Sequence, residues 1–244
     1  LRTLRRTSAT VMHLLALPGP DQLKLMLRLD RPTLRWRVLG ASLRDQLVAR
    51  GISAERVELE TLPTPEEAHA KLQLDRVSLR ARWGVDDEMP VVAVLSDPPT
   101  AGDAGPMMIA LNLIGLAADR PLRLLVHPEQ SGRERSQTLL DRYGKPDRFI
   151  QDAGVATPWS VVRGCDAVML TESPAPLSVR YALAAGLPIV APDLAHHREA
   201  LADAPEEQVH FALTAEPKRM ADRLQHRALG LTTAAYRYAS GQVD

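Results

Sequence analysis

One cysteine, Cys165, stands among 244 residues. A lone thiol excludes an internal disulfide framework and any cysteine-based zinc site, and it fits a reducing compartment, so a bacterial-type cytoplasmic location is expected. Net charge is missing as well, because thirty basic and thirty acidic side chains cancel to +0. No global field would hold a polyanion, and the one local basic stripe is Arg2, Arg5 and Arg6, so neither nucleic acid nor an anionic membrane surface is an expected partner. Lysine is scarce: Lys24, Lys71, Lys145 and Lys218 stand against 26 arginines, a bias that reports GC-rich codons and locates no site. Long hydrophobic runs are absent too. The longest, Met107 to Ala118, stops at Asp119, short of the roughly 20 residues a bilayer-spanning helix needs, so no transmembrane segment is expected. No signal peptide is visible, and a first residue Leu1 in place of Met predicts that an N-terminal portion has been lost or removed. Finally, the chain has no G-x-G-x-x-G, Gly102-Asp-Ala-Gly105 being the nearest approach, and no G-x-x-x-x-G-K-[ST], H-E-x-x-H or G-x-S-x-G. Nicotinamide and flavin enzymes, phosphate-loop hydrolases, zinc proteases and serine hydrolases drop out together.

What is present is ordinary globular composition, 45% hydrophobic and 25% charged, arranged as alternating strand and helix. Helical pieces are expected at Thr10–Leu17 and Gln22–Leu29. Trp36–Leu39 reads as a strand, and Ser42 stands where it would cap a helix through Leu43, Leu47 and Val48 that Gly51 ends. Val57–Leu62 alternates like a strand, and the polar stretch Glu66–Arg76 reads as a linker. Beyond Pro90 the expected strands are Val91–Leu95, Leu122–Val126, Arg148–Ile150, Ala167–Leu170, Ile189–Val190 and Val209–Leu213. Between and after them helices are expected at 107–118, Glu134–Tyr143, Trp159–Arg163, Leu177–Ala185, His197–Ala202 and Pro217–Leu229. The wholly apolar Val91–Leu95 suits a strand covered on both faces of a parallel sheet. Right-handed crossovers then give a doubly wound, parallel, six-stranded Rossmann-like α/β sheet. Ligands of such sheets bind beyond the carboxyl ends of the strands, which directs attention to loops Ser96–Gly105, His127–Gly132, Gln151–Thr157, Thr171–Pro176 and Pro192–His197.

The stretch Cys165–Pro192, followed by Arg198-Glu199, resembles the donor-binding region of the retaining GT-B glycosyltransferases of group 1, also called family 4. Tyr181-Ala-Leu-Ala-Ala-Gly-Leu-Pro-Ile-Val-Ala191 matches that family's Glu-Ala-Met-Ala-x-Gly-x-Pro-Val-Val-Ala, with Tyr181 at the position of the Glu. Leu39–Glu58 looks like the end of the family's N-terminal domain, and Leu79–Asp86 like the helix before the first strand of its C-terminal domain. The resemblance spans residues 38 to 229 and is sharpest at 165–199. It implies a remnant of the N-terminal domain over 1–64, a linker and helix over 65–89, a donor-binding domain over 90–229 and a tail over 230–244. It implies transfer of a hexosyl group from a nucleotide-diphosphate sugar to an acceptor hydroxyl with retained anomeric configuration and no required metal or other cofactor. The acceptor itself is not named by these residues.

Glu172, one residue out of register with the family's glutamate, and His127, in the loop after the second strand, are the catalytic candidates, and Ser96, Gly105, Thr171, Ser173, His197 and Glu199 are the donor-binding candidates. The turn Ser173-Pro-Ala-Pro176 opens a helix at a strand's carboxyl end, where free amides and about half a positive charge suit a diphosphate. Three departures weigh against an intact site. Ser96-Asp97 stands for the family's Gly-Arg, and Ala104-Gly105 for its Lys-Gly, so two cations become none and Asp97 and Asp103 add negative charge. At ~4 Å in an effective dielectric near 20, each lost cation–phosphate contact is worth about 4 kcal/mol before desolvation. Ser173 and Tyr181 occupy both places of the family's paired glutamates, and His127 takes the place of a Gly. A non-catalytic binding or scaffolding module that kept the sheet is therefore the competing reading, and a different strand order would point to another doubly wound sugar- or nucleotide-binding protein. Each candidate also has a plain structural reading: Ser173 as a helix cap, Glu199 paired with an arginine, Tyr181 as packing, Cys165 as a small core residue.

Overall fold

The computed structural model describes residues 10–14, 19–29, 32–72, 74–98, 100, 102–117, 122–130, 132–142, 148–212 and 217–224. The stripe Arg2, Arg5 and Arg6, the helix ends expected at Tyr143 and Leu229, the strand end at Leu213 and the tail 230–244 lie outside them. Contacts divide the chain into two units, Leu1–Leu62 and Pro63–Asp244.

In the smaller unit three parallel strands, β1 (Thr10–Leu14), β2 (Leu34–Val38) and β3 (Val57–Leu59), form one sheet in that order. Alternate burial along β2 places Leu34, Trp36 and Val38 in a core with Met26 of helix α1 (Pro20–Leu29) and Leu43 and Leu47 of α2 (Ala41–Ala49). The helix expected at Thr10–Leu17 is thus a strand over its described part: β1 pairs in register along the whole of β2, and that ladder overrides local periodicity. Ser42 is not the cap of α2. Gly40 holds that position without a side-chain hydrogen bond, and Ser42 Oγ accepts from Gln46 one turn on.

The larger unit opens with a helix where a linker was expected. In α3 (Pro65–Lys71) Thr64 Oγ1 accepts from the Glu67 amide at 3.3 Å while Glu67 Oε2 accepts from the Thr64 amide at 2.9 Å, a complete capping box, and Pro65 sits at the first helical position. Asp75 caps α4 (Arg76–Trp83), and Gly84 ends it in a left-handed conformation, φ 65°. The strands that follow are β4 (Val91–Leu95), β5 (Arg123–Val126), β6 (Phe149–Gln151), β7 (Ala167–Leu170), β8 (Ile189–Pro192) and β9 (Val209–Ala212). They make one parallel six-stranded sheet ordered β6-β5-β4-β7-β8-β9. The fold class is the one the sequence implied, a doubly wound α/β sheet. All five residues of β4 are buried: Val91, Ala93 and Leu95 join one core cluster, with Val179 and Ala182 of α7 (Pro176–Ala184), and Val92 and Val94 join another, with Met107 and Ile114 of α5 (Gly105–Ala117). Burying such Val, Leu and Met side chains stabilises by about 1.5–3 kcal/mol each. The helix expected at Trp159–Arg163 is instead a run of short 3₁₀ turns over Ala153–Ala156, Pro158–Ser160 and Val162–Gly164. The remaining helices are α6 (Arg133–Arg142), α8 (Ala195–Ala200) and α9 (Pro217–Asp222).

Arg80 of α4 fastens this helix to the sheet. It is 1% exposed and donates to the carbonyls of Gly164 and Asp86 at 3.0 Å, to that of Met89, and to the Asp166 carboxylate at 3.2 Å. Asp166 also accepts from Arg76 and from the amide of Val91, so one carboxylate ties α4 to the starts of β4 and β7.

Candidate functional site

Chain direction in the sheet reverses its order between β4 and β7: sequential strands run outward one way through β5 and β6, and the other way through β8 and β9. A crevice at such a switch point lies beyond the strands' carboxyl ends. In this chain the switch point is bounded by the loop 96–105 after β4 and the turn 171–175 after β7.

The two segments are joined. The Thr171 amide donates to the Leu95 carbonyl at 3.2 Å, and the Asp97 amide to the Pro174 carbonyl at 3.0 Å. Gly102 has φ 74°, and a Cβ there would stand 2.9 Å from Ser173 Oγ and still closer to Thr171 Oγ1. Only glycine lets the loop lie this close over the turn.

Helix α7 supplies the chemistry of the crevice. Its cap residue is Ala175, which has no side-chain acceptor, and Pro176 follows at the first helical position. The next amides, those of Leu177 and Ser178, are orphan donors of a helix end. Both donate to Asp97 Oδ2, at 2.6 and 3.1 Å, while Ser178 Oγ donates to Asp97 Oδ1 at 2.7 Å. Asp97 is 7% exposed. Burial pushes its carboxyl above the ordinary range, and the three donors, the Ser178 hydroxyl foremost, pull the other way. A second carboxylate serves α5, where the Gly105 amide donates to Asp103 Oδ1 at 2.8 Å.

The sequence-derived residues separate into two groups around this frame. Ser96, Thr171, Ser173 and His197 come together at the switch point. Ser96 is buried and its Oγ donates to the Pro98 carbonyl. Thr171 is buried, its Oγ1 accepting from the Ser173 amide and its carbonyl accepting from His197 Nε2 at 2.8 Å. His197 is fully buried, and burial first, then the neighbouring His196, holds its pKa at about 4. It is the neutral Nε2-H tautomer, with Nδ1 buried and unpartnered. His196 lies 4.3 Å away ring to ring; burial lowers its pKa, and a hydrogen bond with the Glu172 backbone opposes that shift. The Glu172 side chain is exposed. Gly105 begins α5 under Asp103. His127 sits at the end of β5, its Nδ1 accepting from the Glu129 amide at 3.2 Å in a local turn. Glu199 is exposed on α8. Arg198, a cation able to replace the missing ones, is engaged elsewhere: it grips Asp193 at 2.5 and 2.8 Å and lies over the Phe211 ring at 5.0 Å. Tyr181, at a glutamate position of the resembling family, is 1% exposed and tilts against Trp159, ring centroids 5.0 Å apart.

Sequence reasoning missed Ser178 and read Asp97 only as a charge unfavourable to a diphosphate. One signal was available, an alanine at the cap of α7, which leaves helix-end amides in need of an acceptor from elsewhere in the chain. Among the described residues no group of three or more His, Cys, Asp or Glu side chains could hold a metal ion, and no helix is long and apolar enough to cross a membrane. An open cavity of about 620 Å³ lies at the edge strand β9, lined by Glu206, Glu207, Val209, His210, Phe211 and Arg223, and not at the switch point.

Known proteins similar to this chain are found through structure. No family model matches the sequence, and no curated protein matches it. Among solved structures, the Anabaena protein Alr3699/HepE in complex with UDP-glucose is similar over 96% of this chain and 68% of its own, with TM-score 0.63 and 16% identity. WaaG, a glycosyltransferase involved in lipopolysaccharide biosynthesis, is similar over 97% of this chain and 73% of its own, with TM-score 0.58 and 12% identity. A glycosyltransferase from Rickettsia africae is similar over 96% of this chain and 61% of its own, with TM-score 0.57 and 11% identity. The chain thus spans about 61% to 73% of the length of these proteins. At such identities the likeness is one of fold: this chain has the fold of GT-B glycosyltransferases.

Proposed function

We propose that the chain is the donor-side portion of a glycosyltransferase homologue, its crevice serving a nucleotide-diphosphate sugar whose hexosyl group passes to an acceptor hydroxyl with retained configuration. The observation that carries this reading is the start of α7. Two helix-end amides and a hydroxyl converge there on an anion, at the switch point of a sheet wound as the fold requires. The segment Cys165–Pro192 supports it by its resemblance to the group 1, family 4 donor region, and so do the UDP and UDP-glucose complexes of the Anabaena neighbour. In this reading Thr171 and Ser173 line the sugar side, Glu172 and His127 are the groups available for chemistry, and Ser96, Gly105, His197 and Glu199 complete the donor site. No metal or cofactor is required, and the cytoplasm, where nucleotide sugars are made, is the expected location.

A second reading, a non-catalytic module descended from a glycosyltransferase, is favoured by one observation: the anion held at α7 is the protein's own Asp97, and loop 96–105 carries no basic residue to hold another. Calorimetry with UDP-, GDP- and ADP-sugars separates the two. Saturable binding of one of them is expected for the donor site. No heat from any at millimolar concentration, with wild type and with an Asp97→Ser variant alike, leaves the non-catalytic module.

A further inference from the structure

Strand β9 is an edge of the six-stranded sheet, and among the described residues no strand pairs with its outer side. The register fixes which backbone groups face outward. The Ala212 carbonyl accepts from the Asp193 amide, so Ala212 turns to β8; backbone groups alternate in direction along a strand, so His210 turns there too, while Val209 and Phe211 face away. The Val209 amide is used, donating to the Glu206 carbonyl. Left at the free edge are the Val209 carbonyl and both the N–H and the C=O of Phe211. The open cavity of about 620 Å³ meets Val209, His210 and Phe211 in succession. Val209 and Phe211 pack against one core cluster and His210 points to the other face of the sheet, so a cavity that meets all three lies along the edge itself. Edge strands are commonly guarded by a charge or a proline on the strand, and Val209-His-Phe-Ala212 carries neither. The charges stand around it instead. Glu206 and Glu207 before the strand and Arg223 after α9 are exposed, line the same cavity, and among the described residues their side chains make no ion pair or hydrogen bond.

We propose that the free edge of β9 is a docking site for an extended, lysine- or arginine-bearing peptide segment of a partner protein, which adds to the sheet as a further strand. An antiparallel segment exchanges both hydrogen bonds with Phe211, the pairing in which one residue supplies donor and acceptor together. Its following residues then run back along Val209 towards Glu206 and Glu207. Two carboxylates against one guanidinium make the rim net negative, so the site selects basic side chains two and four positions after the residue opposite Phe211. The site lies apart from the switch point and does not depend on the nucleotide-sugar reading.

Three capped peptides titrated into the ¹⁵N-labelled full chain test this: acetyl-Thr-Val-Thr-Lys-Thr-Lys-amide, its counterpart with glutamate for both lysines, and one with proline for the valine. The Phe211 amide should exchange its hydrogen rapidly in the free protein, and the lysine peptide should shift its resonance with saturation and slow that exchange. The glutamate peptide should bind about tenfold more weakly, and the charge-reversed variant Glu206→Lys/Glu207→Lys, folded by circular dichroism, should invert that preference. The proline peptide cannot donate to Phe211 and should leave its exchange unchanged. No shift of Phe211 with any peptide at millimolar concentration overturns the inference. Equal binding of the lysine and proline peptides also overturns it, since charge attraction without strand addition is then enough. A Phe211 amide already protected before peptide is added overturns it as well and assigns the edge to another segment of this chain or to a second copy, which sedimentation tells apart.

Discussion

Lowering the pH should destabilise the larger unit through His197. The ring is fully buried and donates from Nε2 to the Thr171 carbonyl, the residue that starts the turn facing Asp97. Burial, and after it the adjacent His196, sets its pKa at about 4 against an ordinary 6.5, with the Thr171 hydrogen bond opposing. Between those values the unfolded chain binds the proton and the folded chain does not. The stability His197 contributes is therefore whole above pH 6.5 and lost as the pH falls towards 4. Each pH unit of that window is worth up to about 1.4 kcal/mol, so the whole is about 3 kcal/mol, and about 2 kcal/mol is gone by pH 5. Urea unfolding of wild type and His197→Gln at pH 7.5 and pH 5 measures it. Glutamine does not titrate, so the variant should lose about 2 kcal/mol less than wild type on acidification, whatever the other histidines and carboxylates contribute to both. Equal losses in the two proteins, or an NMR titration of the His197 ring with a midpoint near 6.5, would refute the argument.

Other contacts give equally direct tests. Arg80→Met takes the buried donor from the Gly164 carbonyl and one of three donors from the Asp166 carboxylate, which keeps Arg76 and the Val91 amide; stability should fall by about 2–3 kcal/mol and the calorimetric Tm by roughly 5–10 °C. Gly102→Ala puts a Cβ against Ser173 and Thr171 at a φ of 74°, and the left-handed conformation alone costs about 1–2 kcal/mol, so urea midpoints should drop while the far-ultraviolet spectrum stays unchanged. Cys165 is buried and burial pushes its thiol up; a thiol reagent should label native protein only at the rate of opening and denatured protein at once, and rapid native labelling would contradict the packing described.

Strands were legible in the sequence wherever burial on both faces leaves an unbroken apolar run, as in Val91–Leu95 and Ala167–Leu170. They were not legible where pairing decides: Thr10–Leu14 has helix-like spacing, and only its ladder with Leu34–Val38 makes it a strand. Helix α3 was hidden for the opposite reason. It buries a single residue, Ala68, so its composition resembles a linker's, and the cue it did carry, Thr64 three residues before Glu67, is a capping signal and not a hydrophobic one. At the site, the turn after β7 could be located from Ser173-Pro-Ala-Pro176 because strand end and helix start are local features. The engagement of that helix by Asp97 could not, since the parallel pairing of β4 with β7 is what brings two segments so distant in sequence together. Local sequence shows that Asp97 is acidic; only the fold shows which donors meet it.

The most direct test follows the amide resonances of Leu177 and Ser178 in ¹⁵N-labelled protein as UDP-glucose is added. With Asp97 seated on these amides, both should shift with saturation in Asp97→Ser, and in wild type only at ligand concentrations at least tenfold higher. Shifts of equal size and midpoint in the two proteins would mean that the helix end is open to a diphosphate as it stands, and would contradict the account.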